Sequence, residues 1–300
     1  MNILVIGADG QLGRAIFNSP VMGKTSNIYF FTSVHNQMFL HLNINETEYV
    51  NKFIQDNNIR VVINCAAFTN VDQAELNPDT CYELNYEKVI PIIEKMKEVG
   101  GLFIGFSSDY VFSGAKRNTP YTEKDKHEYL NVYGQSKGLL EDYVTKNPGH
   151  ALIFRTSWLF SEYGNNFITR IHEKMKNHVP EIQVINNCFG SPTYAGDLAE
   201  AVLDVVEHKV KFSPSIYNFC NSGIASWYDL AKMFEIFAYG SDRGIVQPIS
   251  SAEFMEKADK FVVTKPHFSA LDTTKYQEVF KKTPQHWAGA LNNVVDKLIL

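Results

Sequence analysis

The sequence predicts an α/β protein built on a doubly wound parallel sheet, with a smaller C-terminal α/β lobe. Three observations predict it. Short β-branched runs alternate with longer helical patterns through the first half, each run is almost wholly apolar, and the first run empties into a glycine-rich loop. Strand, helix, strand at this spacing implies right-handed crossovers, and continuous apolar strands are those covered by helices on both faces.

Taken in order, residues 3–6 form the first strand and 11–18 the first helix. A strand at 28–32, a helix at 46–57 and a strand at 61–65 follow. A long helix is expected over 79–99, then a strand at 102–106, a helix at 132–146 and a strand at 151–155. Beyond this the pattern loosens: helices are expected at 197–207 and 227–237, and short strands at 183–186 and 215–219. Residues 1–155 are therefore read as a dinucleotide-binding domain that also receives about 183–220. Residues 156–182 and 221–300 are read as a substrate-binding lobe closing over the strand ends. No internal repeat or Pro/Ser-rich linker interrupts the 300 residues.

Composition narrows the function. With 28 basic and 33 acidic residues the net charge is −5, which argues against a nucleic-acid backbone binder. Lys124, Lys126 and His127 cluster, but Glu123, Asp125 and Glu128 interleave with them, so this is read as a solvated loop. No apolar run approaches the roughly 18 residues of a membrane span. The opening MNILVIGADG has no basic lead-in and reads as a buried strand, not a signal peptide. Four cysteines (Cys65, Cys81, Cys188, Cys220) form no CxxC pair, and the histidines show no ligand spacing, so no metal site is expected. A reduced, soluble, cytoplasmic protein is expected, as monomer or homodimer.

The loop Gly7-Ala8-Asp9-Gly10-Gln11-Leu12-Gly13 follows the first strand and opens the first helix. Glycine there permits a tight turn, close approach of backbone to a pyrophosphate, and close packing of helix on sheet. The doubly wound sheet is thus expected to be Rossmann-like. The spacing is GxxGxxG, which resembles the extended branch of the short-chain dehydrogenase/reductase superfamily. At the end of the second strand an acid would hold the adenosine ribose of NAD and repel the extra phosphate of NADP. None stands at 31–35, and Ser33 is able to donate to a phosphate. NADPH is the expected cofactor, with NADH as the alternative.

Tyr133 and Lys137 form Tyr-x-x-x-Lys, which on a helix places both side chains on one face. Tyr133 would protonate a carbonyl oxygen as hydride arrives. Its ordinary pKa of about 10 is high for this, and a neighbouring Lys137 cation is expected to favour the phenolate. Lys137 would also donate to the nicotinamide ribose. The strand at 102–106 ends in Ser107-Ser108-Asp109-Tyr110, which places the Ser108 hydroxyl where such sheets bind ligands. Asn85 lies mid-helix against its propensity, which suggests a buried polar role or a solvent-facing residue.

Residues 63–75 (INCAAFTNVDQAE), 107–112 (SSDYVF), 131–134 (NVYG), 154–158 (FRTSW), 164–167 (GNNF) and 189–193 (FGSPT) together resemble the dTDP-4-dehydrorhamnose reductase family, with a looser match at 265–271. The resemblance implies reduction of the C4 ketone of dTDP-4-dehydro-β-L-rhamnose to dTDP-β-L-rhamnose by NADPH or NADH, the last step in making this activated sugar. It implies a catalytic triad of Ser108, Tyr133 and Lys137. It places Val71, Asp109 and Trp158 against the nucleotide-sugar substrate, with Asn165 and Asn166 as further substrate candidates or merely a turn after Gly164. Ala66, Ala67 and Thr69 match cofactor-lining positions. Gly7, Gly10, Gln11, Leu12, Gly13, Ser33, Asn43, Ile44 and Asn85 complete the expected cofactor set, which Tyr133 and Lys137 join. Departures from the family pattern are Ser108 for threonine, Lys265 for the usual arginine before Pro266, and Ala15 where some members place a glutamate on a dimer-bridging Mg²⁺.

Two rivals share these features. A nucleotide-sugar dehydratase would need a glutamate two residues after the catalytic hydroxyl, where Tyr110 stands; a 4-epimerase would not. A non-catalytic NADP-binding regulatory subunit would have no need of an intact Ser108, Tyr133 and Lys137.

Overall fold

The computed structural model describes residues 1–20, 27–33, 38–115, 118–208, 216–258 and 262–299. Strands β1 (Asn2–Ile6), β2 (Asn27–Thr32), β3 (Leu40–His41), β4 (Ile59–Asn64), β5 (Leu102–Ser108) and β6 (Ala151–Thr156) lie in the first half. They alternate with helices α1 (Gln11–Phe17), α2 (Thr47–Asp56), α3 (Val71–Leu76), α4 (Pro78–Tyr82), α5 (Ile90–Glu98) and α6 (Val132–Lys146). The second half contributes β7 (Leu159–Phe160), α7 (Phe167–Lys176), β8 (Ile182–Ile185), β9 (Phe189–Gly190), β10 (Thr193–Tyr194) and α8 (Ala195–His208). It continues with β11 (Ile216–Asn218), β12 (Ala225–Ser226), α9 (Trp227–Tyr239), β13 (Val246–Ile249), α10 (Ser251–Glu256), α11 (Thr274–Phe280) and α12 (Trp287–Ile299).

Seven strands form one parallel sheet in the order β11-β6-β5-β4-β1-β2-β3. Successive side chains of a strand point to opposite faces, and here both faces are covered. Ile3 and Val5 pack with Leu12, Ile16, Leu198 and Val202 on one side. Leu4 and Ile6 pack with Val50, Ile54, Ile92 and Met96 on the other. That is why the strands read as unbroken apolar runs. Chain direction across the sheet reverses at β1, whose neighbours are β4 and β2. The crevice beyond the ends of β1 and β4 is the switch point where doubly wound sheets take ligands.

Two expectations are corrected. The long helix over 79–99 is three pieces: α4, a π-helical turn at Glu83–Glu87, and α5. Pro91 lacks an N–H and its ring crowds the carbonyl four residues earlier, so the helix restarts at Ile90 with proline in its first turn. The widened turn, closed by Lys88 N–H on Glu83 O at 2.9 Å, carries Asn85. Second, of the stretch 183–220, α8 and β11 join the main sheet, but β8 pairs with β13. That pair belongs to a separate core with Phe160, Ile168, Ile171, Leu230, Phe234 and Leu291. Val34, His35 and Ser215 of the expected strand ends lie outside the described residues.

Candidate active site

The glycine loop sits where the strand ends diverge. The N–H groups of Gly7 and Ala8 both donate to Phe31 O at 2.9 Å, which turns the chain sharply after β1. Gly7 has φ +79°, and a Cβ there would stand 2.6 Å from Ala66 N. At Gly13 a Cβ would stand 2.3 Å from Gly7 O, so helix and loop touch through backbone alone. Gly10 is different: its Cβ would meet only Gly7 O, at 3.4 Å, and it faces open space. No side chain caps the first turn of α1, which leaves its N–H groups for an anion. These are the features a dinucleotide pyrophosphate requires. Gly13→Ala should therefore destabilise the fold by about 1–3 kcal/mol through backbone overpacking, whereas Gly10→Ala should leave the melting temperature nearly unchanged. Thermal melts of both variants check the pair.

The other expected cofactor residues divide. Ser33 is exposed at the end of β2 and Thr69 is exposed beyond β4, with Ala66 and Ala67 half-buried between. Asn43 accepts Asn45 N–H at 3.0 Å in a local turn, while Ile44 is buried in the core with Val50. Leu12 is likewise core. The Gln11 side chain crosses to the other lobe, where its Oε1 accepts from Ser161 Oγ at 2.9 Å. Asn85 is fully buried: its Oδ1 accepts from Phe68 N at 2.8 Å, and its Nδ2 donates to Phe68 O at 3.1 Å and Ser136 Oγ at 2.9 Å. It pins the loop after β4 to α6, so its buried polar role is structural and its amide is not presented to a ligand.

Helix α6 is placed with equal care. Asn131 caps it by accepting Gly134 N–H at 2.8 Å, and Glu75 on α3 accepts Val132 N–H at 2.6 Å. A Cβ at Gly134 would lie 2.1 Å from Tyr110 O, so glycine allows the helix to settle against the turn after β5. Tyr133 and Lys137 thereby face the end of β5. The rings of Tyr133 and Tyr110 meet edge to face at 5.8 Å, and Lys137 Nζ lies 5.9 Å from the Tyr133 ring centre while donating to Phe106 O at 3.0 Å. Burial pushes the Tyr133 hydroxyl well above its ordinary range, opposed by a hydrogen bond with Ser108. This corrects the expected electrostatics. Desolvation sets the direction and Lys137 is not among the groups that lower it, so Tyr133 is held as the protonated acid. Burial pushes Lys137 down to about 8.

Ser108 ends β5 opposite Thr156 of β6. Its Oγ lies 3.0 Å from Asp109 Oδ1 and accepts Tyr110 N–H at 3.2 Å. Asp109 is 1% exposed, its other oxygen receives Ser269 Oγ at 2.6 Å, and burial lifts its carboxyl to about 7. In this structure it is not an open acceptor for sugar hydroxyls. Val71 begins α3, half-buried. Trp158, two residues past the β6 rung of Ser108, adopts φ +47° and stacks on Trp227 at 3.8 Å. A Cβ at Gly190 would come within 2.6 Å of its indole. Lys265 Nζ lies 5.4 Å from the Trp227 ring centre. Asn165 is exposed. Asn166 is the buried cap of α7: its Oδ1 accepts Ile168 N–H at 2.9 Å and Thr169 N–H at 3.2 Å, and its Nδ2 donates to Ser161 O at 2.9 Å. The cap consumes the amide, so Asn166 is not available to substrate. Sequence reasoning gave no role to Ser269, Glu75 or Trp227, although Glu75 closes the 63–75 segment and Ser269 lies in the looser match at 265–271.

A glycine loop at the switch point and a Tyr-x-x-x-Lys helix facing the adjacent strand end define the short-chain dehydrogenase/reductase class of dinucleotide-binding folds. Comparison with known proteins then gives the particular family. The family model described as the RmlD substrate binding domain matches residues 1–300, and the chain belongs to that family. The dTDP-4-dehydrorhamnose reductase of Aggregatibacter actinomycetemcomitans is 33% identical over 298 residues, 97% of each chain. A crystal structure of the dTDP-4-dehydrorhamnose reductase from Clostridium acetobutylicum matches with TM-score 0.87 at 31% identity over 100% of both chains. That from Bacillus anthracis, solved in complex with NADP, matches with TM-score 0.85 at 29% identity over 99% of each chain.

Proposed function

We propose that the protein is a cytoplasmic NADPH-dependent reductase that converts the C4 ketone of dTDP-4-dehydro-β-L-rhamnose to the alcohol of dTDP-β-L-rhamnose. The observation that carries this reading is a half-buried Tyr133 beside a buried Ser108 and Lys137 at one strand end, in a chain about 30% identical to the named reductases over their whole length. The loop of Gly7, Gly10 and Gly13 would hold the pyrophosphate, and the exposed Ser33 would donate to the additional phosphate of NADPH. When bound, the dinucleotide supplies hydride to the ketone carbon.

The chain's residues manage the proton. Tyr133, held protonated by burial, gives its hydroxyl hydrogen to the C4 oxygen as negative charge develops there. Ser108 steadies the same oxygen. Lys137, fixed by Phe106 O, donates to the nicotinamide ribose and compensates the phenolate once the proton has left. Trp158 and Val71 border the sugar. Tyr110 stands where a dehydratase places a base, and burial pushes its hydroxyl up; it packs and does not abstract protons. Oxidation of NADPH or NADH by the purified protein, supplied with dTDP-4-dehydro-6-deoxyglucose and a 3,5-epimerase, tests the reading. The expected result is oxidation that requires both sugar and epimerase, faster with NADPH. Absence of oxidation despite NADPH binding overturns the assignment.

A further inference from the structure

The segment 267–272 crosses from the C-terminal lobe to the end of β5 and is held from several sides. Phe189 N–H donates to His267 O and Ser269 N–H to Phe189 O, each at 2.8 Å; Tyr121 N–H donates to Ala270 O, also at 2.8 Å. Gly114, at φ +68°, lets this strap lie close, since a Cβ there would stand 2.6 Å from Phe268 O. Ser269 is thereby fixed, 1% exposed, with its hydroxyl donating to Asp109 Oδ2 at 2.6 Å.

A serine hydroxyl has one hydrogen to give. While Asp109 is ionised, the hydrogen of Ser108 is committed to Oδ1 and withheld both from a reacting carbonyl and from Tyr133, the other group in hydrogen-bonding contact with Ser108. When Asp109 is neutral, its proton resides on Oδ1, because Oδ2 already accepts from Ser269. Oδ1 then donates to Ser108 Oγ, whose hydrogen is released toward the substrate oxygen. We propose that Ser269 is a positioning residue of the reduction, acting through Asp109 to set the direction in which Ser108 donates. The inference rests on the reductase reading and deepens it. The proton that forms the alcohol still comes from Tyr133; Asp109 and Ser108 only reorient theirs.

Asp109, lifted to about 7, is present in both forms near neutral pH. The titratable groups facing it are Tyr110 beside it, Tyr133 from α6 and Cys220 after β11, all pushed up by burial and so uncharged there. Lys137, beside Tyr133, is lowered by burial to about 8.

The test follows the Asp109 carboxyl by ¹³C NMR in the full chain labelled at aspartate, with the signal assigned by Asp109→Asn, together with kcat against pH. Ser269→Ala should raise the Asp109 midpoint by about one pH unit, because a donor to the carboxylate is lost. At pH 6 the carboxyl is neutral in both proteins, so the midpoint shift does not act there; what the variant loses is the hydrogen bond that keeps the Asp109 proton on Oδ1, and kcat should fall up to about tenfold with KM within about twofold. Ser269→Cys, which fills the same space with a weaker donor, should fall between and serves if the alanine variant does not fold. A midpoint that is the same in all three proteins, or a loss confined to KM, overturns the proposal. The titration is read without substrate, so absence of turnover in the unsubstituted protein counts against the reductase reading alone.

Discussion

Tyr133→Phe should lower kcat by about 10³-fold, within the range that positioned general acids contribute. The substitution removes one oxygen and keeps the ring, so the edge-to-face contact with Tyr110 and the seating of α6 on the turn after β5 survive. Melting temperature and NADPH affinity should accordingly stay near those of the unsubstituted protein. Because Tyr133 gives up its proton only as the alkoxide forms, kcat and kcat/KM should fall together with little change in KM. Steady-state oxidation of NADPH, paired with thermal shift in the presence of NADPH, separates the outcomes. A variant that keeps more than about a tenth of its turnover would show that Tyr133 is not the acid. A regulatory subunit, by contrast, would lose nothing on this change.

The central sheet was legible because its physics is local. A strand covered on both faces is apolar along most of its length, and β1, β2, β4, β5 and β6 are; the two-residue edge strand β3, exposed at Leu40 and His41, carries no such signal and was not expected. The glycine loop and Tyr-x-x-x-Lys were legible because spacing alone fixes their faces. Where contacts span long stretches of chain the sequence was silent. Nothing around Ser269 announces that its hydroxyl meets Asp109, 160 residues away. Trp227 was assigned to a helix, but its stacking on Trp158 depends on how two lobes close. Polar residues misled in the opposite direction. Asn166 and Asn85 stood beside functional motifs, yet both amides are filled by backbone partners. His127 was read into a solvated loop, although its Nε2 pairs with the buried Glu141 at 2.9 Å. Lys124 and Lys126 of the same loop are exposed, as alternating charge suggested. Pro91 was the one visible signal for the broken helix, and the apolar periodicity on either side of it concealed the break.

That buried Glu141 carries the second large effect. Its carboxylate takes Arg155 Nε at 3.0 Å and a second guanidinium nitrogen, and Arg155 also donates to Asn218 Oδ1 at 3.2 Å while lying over the Phe112 ring. Both side chains are essentially inaccessible. The pair joins β6 and, through Asn218, β11 to the helix that bears Tyr133 and Lys137. Arg155→Ala should destabilise the fold at pH 7 by about 3–5 kcal/mol, because it strands a buried carboxylate and deletes packing. The pH dependence distinguishes these causes. In the intact protein Arg155 leads His127 in holding Glu141 down to about 2. Its folded value is below the unfolded one of about 4.3, so its contribution is complete above the unfolded value and is lost as pH falls from there toward 2. In the variant Glu141 keeps only His127 as a side-chain partner and is driven upward by burial, so it is cheapest to fold in acid, where it takes up a proton. The difference between the two proteins should therefore be largest near neutrality and shrink toward pH 4. Urea unfolding at the two pH values measures it. A difference that is the same at both would mean that lost packing, not the stranded charge, sets the cost. Arg155→Lys should recover only part of the loss, since an ammonium cannot reproduce the two-pronged contact with Glu141 and reach Asn218 as well.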